Sequence, residues 1–249
     1  MYAEVISILN NSFIIFLYSL LGGILPALFW LWFWLHEENK HHEPRKIVLM
    51  TFLLGMLGVF VCFIIQKSFS LYFGFIFGNK VLYENISQNY LTINLIFVII
   101  EEFTKFAAAY VIFFKTKIFN QPIDAFIYLM TAALGFAAME NVLYLIHPFI
   151  QGQTMNLILN SYLRFIGANV LHVASSGLLA LFIGYSFCKK PMVRELYIWF
   201  GLLSAILLHW MFNLVLIRSA ESIVFVFLFI WIVSVFLIIS LEKMKRITC

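Results

Sequence analysis

Apolar residues run in long blocks along this chain, separated by short polar stretches, and the block length sets the first reading. A helix that crosses a bilayer needs about 20 consecutive, mostly apolar residues. Blocks of that order lie at about 13–35, 47–66, 91–114, 123–147, 157–187, 194–216 and 221–241. They predict an all-α fold, a polytopic transmembrane helix bundle of about seven spans, built as a single domain over residues 1–249. The fifth block is long enough to tilt or to project beyond the bilayer. Between the second and third, SFSLYFGFIFG (68–78) is too short to cross and too apolar for a free loop, so a re-entrant or interfacial piece is expected there. The opening MYAEVISILN lacks a basic leader, and the first block is too long for a signal-peptide core, so it reads as a permanent span.

Composition agrees. The chain is 63% hydrophobic and 11% charged, against about 25% charged in an average soluble domain. The basic residues sort by loop. Eleven Lys and Arg fall on one side of the predicted membrane and three on the other, while Lys105 and Arg164 are intramembrane. The positive-inside bias puts the N-terminus outside and the C-terminus in the cytoplasm. Basic residues scattered over loops leave no nucleic-acid footprint. Cys62, Cys188 and Cys249 have no paired spacing, so neither a disulfide framework nor a thiolate metal site is suggested.

The informative residues are the polar ones inside the spans. A charged side chain at mid-bilayer costs about 2.5–3.5 kcal/mol on insertion scales, so each needs a reason. Glu101, Glu102 and Lys105 fall in span three, Glu140 in span four, Arg164 and His172 in span five, and His209 and Asn213 in span six. With about 1.5 Å of rise per residue, the acidic and imidazole groups of these four spans fall in one slab in the outer half of the membrane. Taken singly, each has a bland explanation. Glu101 and Lys105, four residues apart with the acid first, suit an intrahelical pair. Glu102 is then directed about 100° away. His209 and Asn213, also four apart, suit helix–helix hydrogen bonding. The bland explanations do not predict a common depth.

Several chemistries are excluded. An aspartic-type intramembrane protease needs two membrane aspartates, and Asp124 is the only aspartate in the chain. The H-E-x-x-H zinc motif is absent, since His36-Glu37 is followed by Lys40. A serine mechanism would need Ser175 or Ser176 beside His172, without any surrounding nucleophile motif. Glutamate and histidine chemistry remains. Two adjacent carboxyls in a low dielectric cannot both ionise cheaply. One of them can act as general base toward a water, with His209 and Asn213 donating to a developing oxyanion. Alternatively Glu102, Glu140, His172 and His209 ligate a divalent metal such as zinc. A third reading is non-enzymatic, a proton-coupled transporter relaying protons through the cluster. It would be expected to show inverted repeats or broken helices, and neither is visible.

At this point the residues resemble a known family. EEFTK in span three, QPIDAFIYLMTAALGFAAMENVLYL through span four, RFIGANVLHVASSGLLALFIG in span five and HWMFN in span six resemble the PrsW family of intramembrane proteases. The likeness begins at HHEPRKIVLMTFLLG and covers most of the chain. The family is in turn similar to the CAAX prenyl endopeptidases, with their EExxxR, FxxxH and HxxxN patterns. This chain departs from those patterns at Lys105 and at Glu140, which argues against a prenylated substrate.

The resemblance implies an intramembrane, glutamic-type endopeptidase in a bacterial or archaeal plasma membrane. It would make a site-1-type cut in a single-span membrane protein or peptide, such as an anti-sigma factor. It implies Glu101 and Glu102 as catalytic carboxylates, Glu101 as the base, and Glu140, His172, His209 and Asn213 completing the site. Lys105, Asn141 and Arg164 would support them, and Glu43, Pro44 and Asp124 would be structural. No cofactor is required by this reading, and a divalent metal stays open.

Overall fold

The computed structural model describes residues 2–37, 44–77, 86–115, 119–150, 167–218 and 223–247. Among them are seven helices: α1 (Tyr2–Glu37), α2 (Arg45–Phe77), α3 (Ile86–Lys115), α4 (Pro122–Ile150), α5 (Asn169–Tyr185), α6 (Pro191–Arg218) and α7 (Ile223–Met244). Proline marks their starts. Pro122 and Pro191 open α4 and α6, where a missing N–H costs no intrahelical bond. The carbonyl of Pro44 accepts the first N–H groups of α2, from Ile47 at 2.8 Å and Val48 at 3.2 Å. Asp124 Oδ2 accepts the backbone N–H of Asn120 and of Gln121, both at 2.8 Å, and so ties down the turn into α4.

Five helices contain stretches long and apolar enough to cross a membrane: Phe16–His36, Arg45–Tyr72, Pro122–Ile146, Pro191–Val215 and Phe227–Met244. Helix α3 has the length but carries Glu101, Glu102 and Lys105 mid-way. Helix α5 is apolar over the 17 residues described, and residues 157–166 of the expected fifth span lie outside the described part. Exposed Leu53, Leu57, Phe60 and Ile64 line one face of α2 at helical spacing, the lipid-facing pattern.

Helix α4 is the centre. It packs against α1, α2, α3, α5 and α7, and every residue from 122 to 138 is buried. A helix apolar on all sides belongs inside. Its small residues let backbones meet. A methyl at Gly135 would collide with the carbonyl oxygen of Phe52, and one at Gly55 with that of Ala132, so α2 and α4 cross at reciprocal glycines.

Two expectations are corrected. Residues 68–77 are not a separate re-entrant piece. Helix α2 runs through them without a proline to stop it, and Ser70 Oγ bonds back to Gln66 O at 2.9 Å inside it. Cys188 is disulfide-bonded, which cysteine spacing did not suggest. It follows α5 where that helix closes on the end of α7, with Tyr185 Oη donating to Ser240 O at 3.2 Å.

Chain direction alternates, which gathers the C-terminal ends of α2, α4 and α6 with the starts of α3, α5 and α7. Trp210 Nε1 on α6 donates to Leu91 O near the start of α3 at 3.2 Å. The polar cluster lies nearer this end of the bundle.

Candidate active site

Glu101 and Glu102 point in different directions from the same turn of α3, and each faces one nitrogen of His209. Glu102 is turned inward, its side chain 1% exposed, and Lys105 beside it is 0% exposed. One oxygen of Glu102, Oε1, receives three donors: Lys105 Nζ at 2.5 Å, His209 Nδ1 at 2.6 Å and Ser175 Oγ at 3.1 Å. Its other oxygen, Oε2, is buried with no hydrogen-bond partner among the described residues. Lys105 therefore pairs with Glu102 at i,i+3 and not with Glu101 at i,i+4, as the helical wheel led one to expect. Both spacings bring side chains within reach on a helix, and the burial of Glu102 between α5 and α6 decides between them.

From this buried ion pair two imidazoles lead outward. Lys105 Nζ also lies 3.0 Å from Nδ1 of His172. An ammonium only donates, so His172 accepts at Nδ1 and carries its proton on Nε2. That Nε2–H points to Glu140 Oε2 at 3.0 Å. On the other branch His209 donates from Nδ1 to Glu102, which leaves its Nε2 facing Oε2 of Glu101 at 3.7 Å. The two rings stand edge to face, 5.2 Å apart. The outer carboxylates are more accessible than the inner one, at 16% for Glu101 and 22% for Glu140. The site is thus a buried core, Glu102–Lys105, joined by two histidines to two reachable carboxylates.

Four residues expected from sequence, Glu102, Glu140, His172 and His209, join through Lys105 in one hydrogen-bonded cluster, and Glu101 lies against it, 3.7 Å from His209 Nε2. Asn141 is one step removed, its Nδ2 donating to Asn169 Oδ1 at 3.1 Å. Asn213 stands one turn beyond His209, half-buried and without a hydrogen bond among the described residues. Arg164 and Glu43 lie outside the described residues. The structure adds two groups. Gln66 of α2 donates from Nε2 to Glu101 Oε1 at 3.2 Å, and Ser175 donates to Glu102. The signal for Gln66 was an amide at the end of an apolar run. Ser175 Oγ is directed to a carboxylate and to His172 O at 3.2 Å, not to an imidazole nitrogen, which is not the arrangement of a serine nucleophile.

The fold and site define a class: a polytopic helical membrane protein with an acid–base cluster built inside the bundle. The family model described as PrsW family intramembrane metalloprotease matches residues 43–239. The chain belongs to the PrsW family and is a multi-pass intramembrane protease of the cell membrane. It is 28% identical to "Protease PrsW" of Halalkalibacterium halodurans over 233 residues, covering 92% of this chain and 97% of that one. It is 26% identical to the protein of that name from Geobacillus kaustophilus, covering 82% of each chain. Clostridioides difficile has another at 26%, with 90% of this chain and 89% of the relative covered. No solved structure matches the chain.

The family description raises the question of a metal. By type the donors suit zinc: one carboxylate and two imidazoles, Glu102, His172 and His209, whose ligand atoms lie within 4.8 Å of one another. As arranged, a metal on Glu102 Oε1 and His172 Nδ1 would have to displace Lys105. Lys105 Nζ already takes Glu102 Oε1 and His172 Nδ1. Glu140 is bonded to the opposite nitrogen of His172, so it cannot join His172 Nδ1 on one ion.

Proposed function

We propose that this protease cleaves a peptide bond of a single-span membrane protein or peptide with a water activated by Glu101. The observation that carries the proposal is the line Glu101–His209–Glu102, with separations of 3.7 and 2.6 Å. Glu102 accepts from Nδ1 and so keeps a lone pair on Nε2 of His209, directed at the accessible carboxylate. A separation of 3.7 Å is too long for a direct bond. It suits a water held by both groups.

The chemistry follows in order. Glu101 draws a proton from the water as its oxygen attacks the scissile carbonyl carbon. The proton passes to Nε2 of His209, whose new positive charge is offset by Glu102 across 2.6 Å. His209 is then a donor on both nitrogens. It gives the Nε2 proton to the leaving amine as the C–N bond breaks. Asn213, one turn along the same helix, donates to the oxyanion, as fixed donors do in other acyl-transfer sites. Glu140, held by His172, is an accessible carboxylate that can accept a substrate N–H. Gln66 fixes Glu101 from the opposite side.

The Lys and Arg distribution puts this end of the bundle outside, which suits a site-1-type cut near the outer surface, as in an anti-sigma factor. The test is Glu101→Gln in proteoliposomes with a single-span substrate. Cleavage should vanish while expression and thermal unfolding stay as in the parent chain. Turnover at the parent rate would remove Glu101 from the reaction.

A further inference from the structure

We propose that Lys105 is the resident cation of this site: its ammonium occupies the position between Glu102 and His172 that a divalent metal would need, and so keeps the cluster metal-free. The proposal deepens the glutamate reading above and rests on it for the site's chemistry, but it is tested by metal binding and not by turnover.

The argument begins with lone pairs. A metal on Glu102, His172 and His209 would need one from each residue, at about 2.0–2.2 Å. Lys105 Nζ sits 2.5 Å from Glu102 Oε1 and 3.0 Å from His172 Nδ1, so the ammonium engages one carboxylate oxygen and the Nδ1 lone pair, and only Oε2 of Glu102 is left without a partner among the described residues. His209 Nδ1 is turned to the same Glu102 oxygen and donates to it. The place is taken chemically as well as sterically, because an ammonium brings the positive charge that the carboxylate requires.

Lys105 has no easy way out. Its side chain is 0% exposed, and its ammonium lies 5.4 Å from the ring centroid of Phe136, on the central helix α4. A metal would have to enter beside a buried positive charge, or else expel it into apolar surroundings. The same contact gives Lys105 a positioning role. By donating to Nδ1 it holds the His172 proton on Nε2, toward Glu140. A site without this lysine would keep the three donors within 4.8 Å of one another and lose the cation between them. The metal site is latent in the donors and masked by Lys105.

The experiment uses the full chain in detergent, stripped with a chelator, re-equilibrated with zinc and dialysed. Zinc per chain is read by mass spectrometry, with the thermal midpoint in parallel. The parent chain and Lys105→Arg should retain no zinc that depends on His209, and zinc should leave their midpoints unshifted. Lys105→Met should take up one zinc per chain and lose it when His209→Ala is added. A parent chain that binds one zinc removable by His209→Ala overturns the proposal. So does a folded Lys105→Met chain that binds none. Should Lys105→Met fail to fold, the nitrogen-15 spectrum of His172 in the parent chain decides. A proton on Nε2 that is unmoved by zinc supports the proposal, and a shift to Nδ1 or to a metal-bound nitrogen overturns it. Loss of cleavage in Glu101→Gln is independent of all these outcomes.

Discussion

The ammonium of Lys105 stands 2.5 Å from the carboxylate of Glu102, one helical turn back on the same helix, and neither side chain reaches the surface. Removing one partner leaves the other buried and uncompensated, which typically costs about 3–5 kcal/mol. The two sides are unequal. Glu102 retains Ser175 and His209 as donors when Lys105 is lost, whereas Lys105 without the Glu102 charge keeps only neutral partners, His172 and the ring of Phe136. Glu102→Gln is therefore expected to destabilise more than Lys105→Met, and the double variant less than the sum of the two. Unfolding of all three in mixed micelles checks this, and strict additivity would mean the pair is not coupled.

Gln66 is expected to matter for rate rather than for binding. It holds Glu101 Oε1 from the neighbouring helix, with a second, longer contact to Phe97 O at 3.5 Å. Gln66→Leu frees the carboxylate to move, and misplacement of a reacting group by about 1 Å can cost about 100-fold. Steady-state kinetics should show kcat falling by about ten- to 100-fold with KM little changed. A rise in KM alone would assign Gln66 to substrate binding.

Ser175→Ala separates a supporting hydroxyl from a nucleophile. One hydrogen bond to a carboxylate is worth about 1.5–3 kcal/mol, and Glu102 keeps two other donors, so turnover should fall by no more than about 100-fold. Complete loss of cleavage, with the fold intact by thermal unfolding, would make Ser175 a participant in bond breaking.

The glycine crossing of α2 and α4 should be intolerant of any side chain. At Gly135 and at Gly55 an added methyl meets backbone carbonyl, not a flexible side-chain end. Gly135→Ala and Gly55→Ala are each expected to lose about 1–3 kcal/mol, the usual cost of overpacking. Because α2 carries Gln66 and α4 carries Glu140, both substitutions should also lower cleavage at temperatures where the chain is still folded. An unchanged melting midpoint would mean that the two helices do not meet there.

The members of the site were legible in sequence because lipid makes charge expensive. Glu101, Glu102, Glu140, His172 and His209 stand out against apolar neighbours, and a shared depth joins their four spans. Their pairing was not legible. Lys105 reaches three or four residues back with equal ease, and only the packing of α5 and α6 around Glu102 chooses between them. Gln66, an amide at the end of an apolar run, carries no charge to mark it. The segment 68–78 misled through its aromatic content and glycines, which suggested a break where α2 simply continues to Phe77.

The three-residue spacing of Glu102 and Lys105 on α3 bears on how the chain is made. Helix α3 leaves the ribosome before α5 and α6 exist, so His172, Ser175 and His209 cannot meet Glu102 when α3 first enters the bilayer. A counter-charge three residues away travels in the same segment and offsets the charge of Glu102 as α3 inserts. Later helices then dock onto a pair that is already formed. The lysine that holds the finished site together is also the escort that brings its buried glutamate into the membrane.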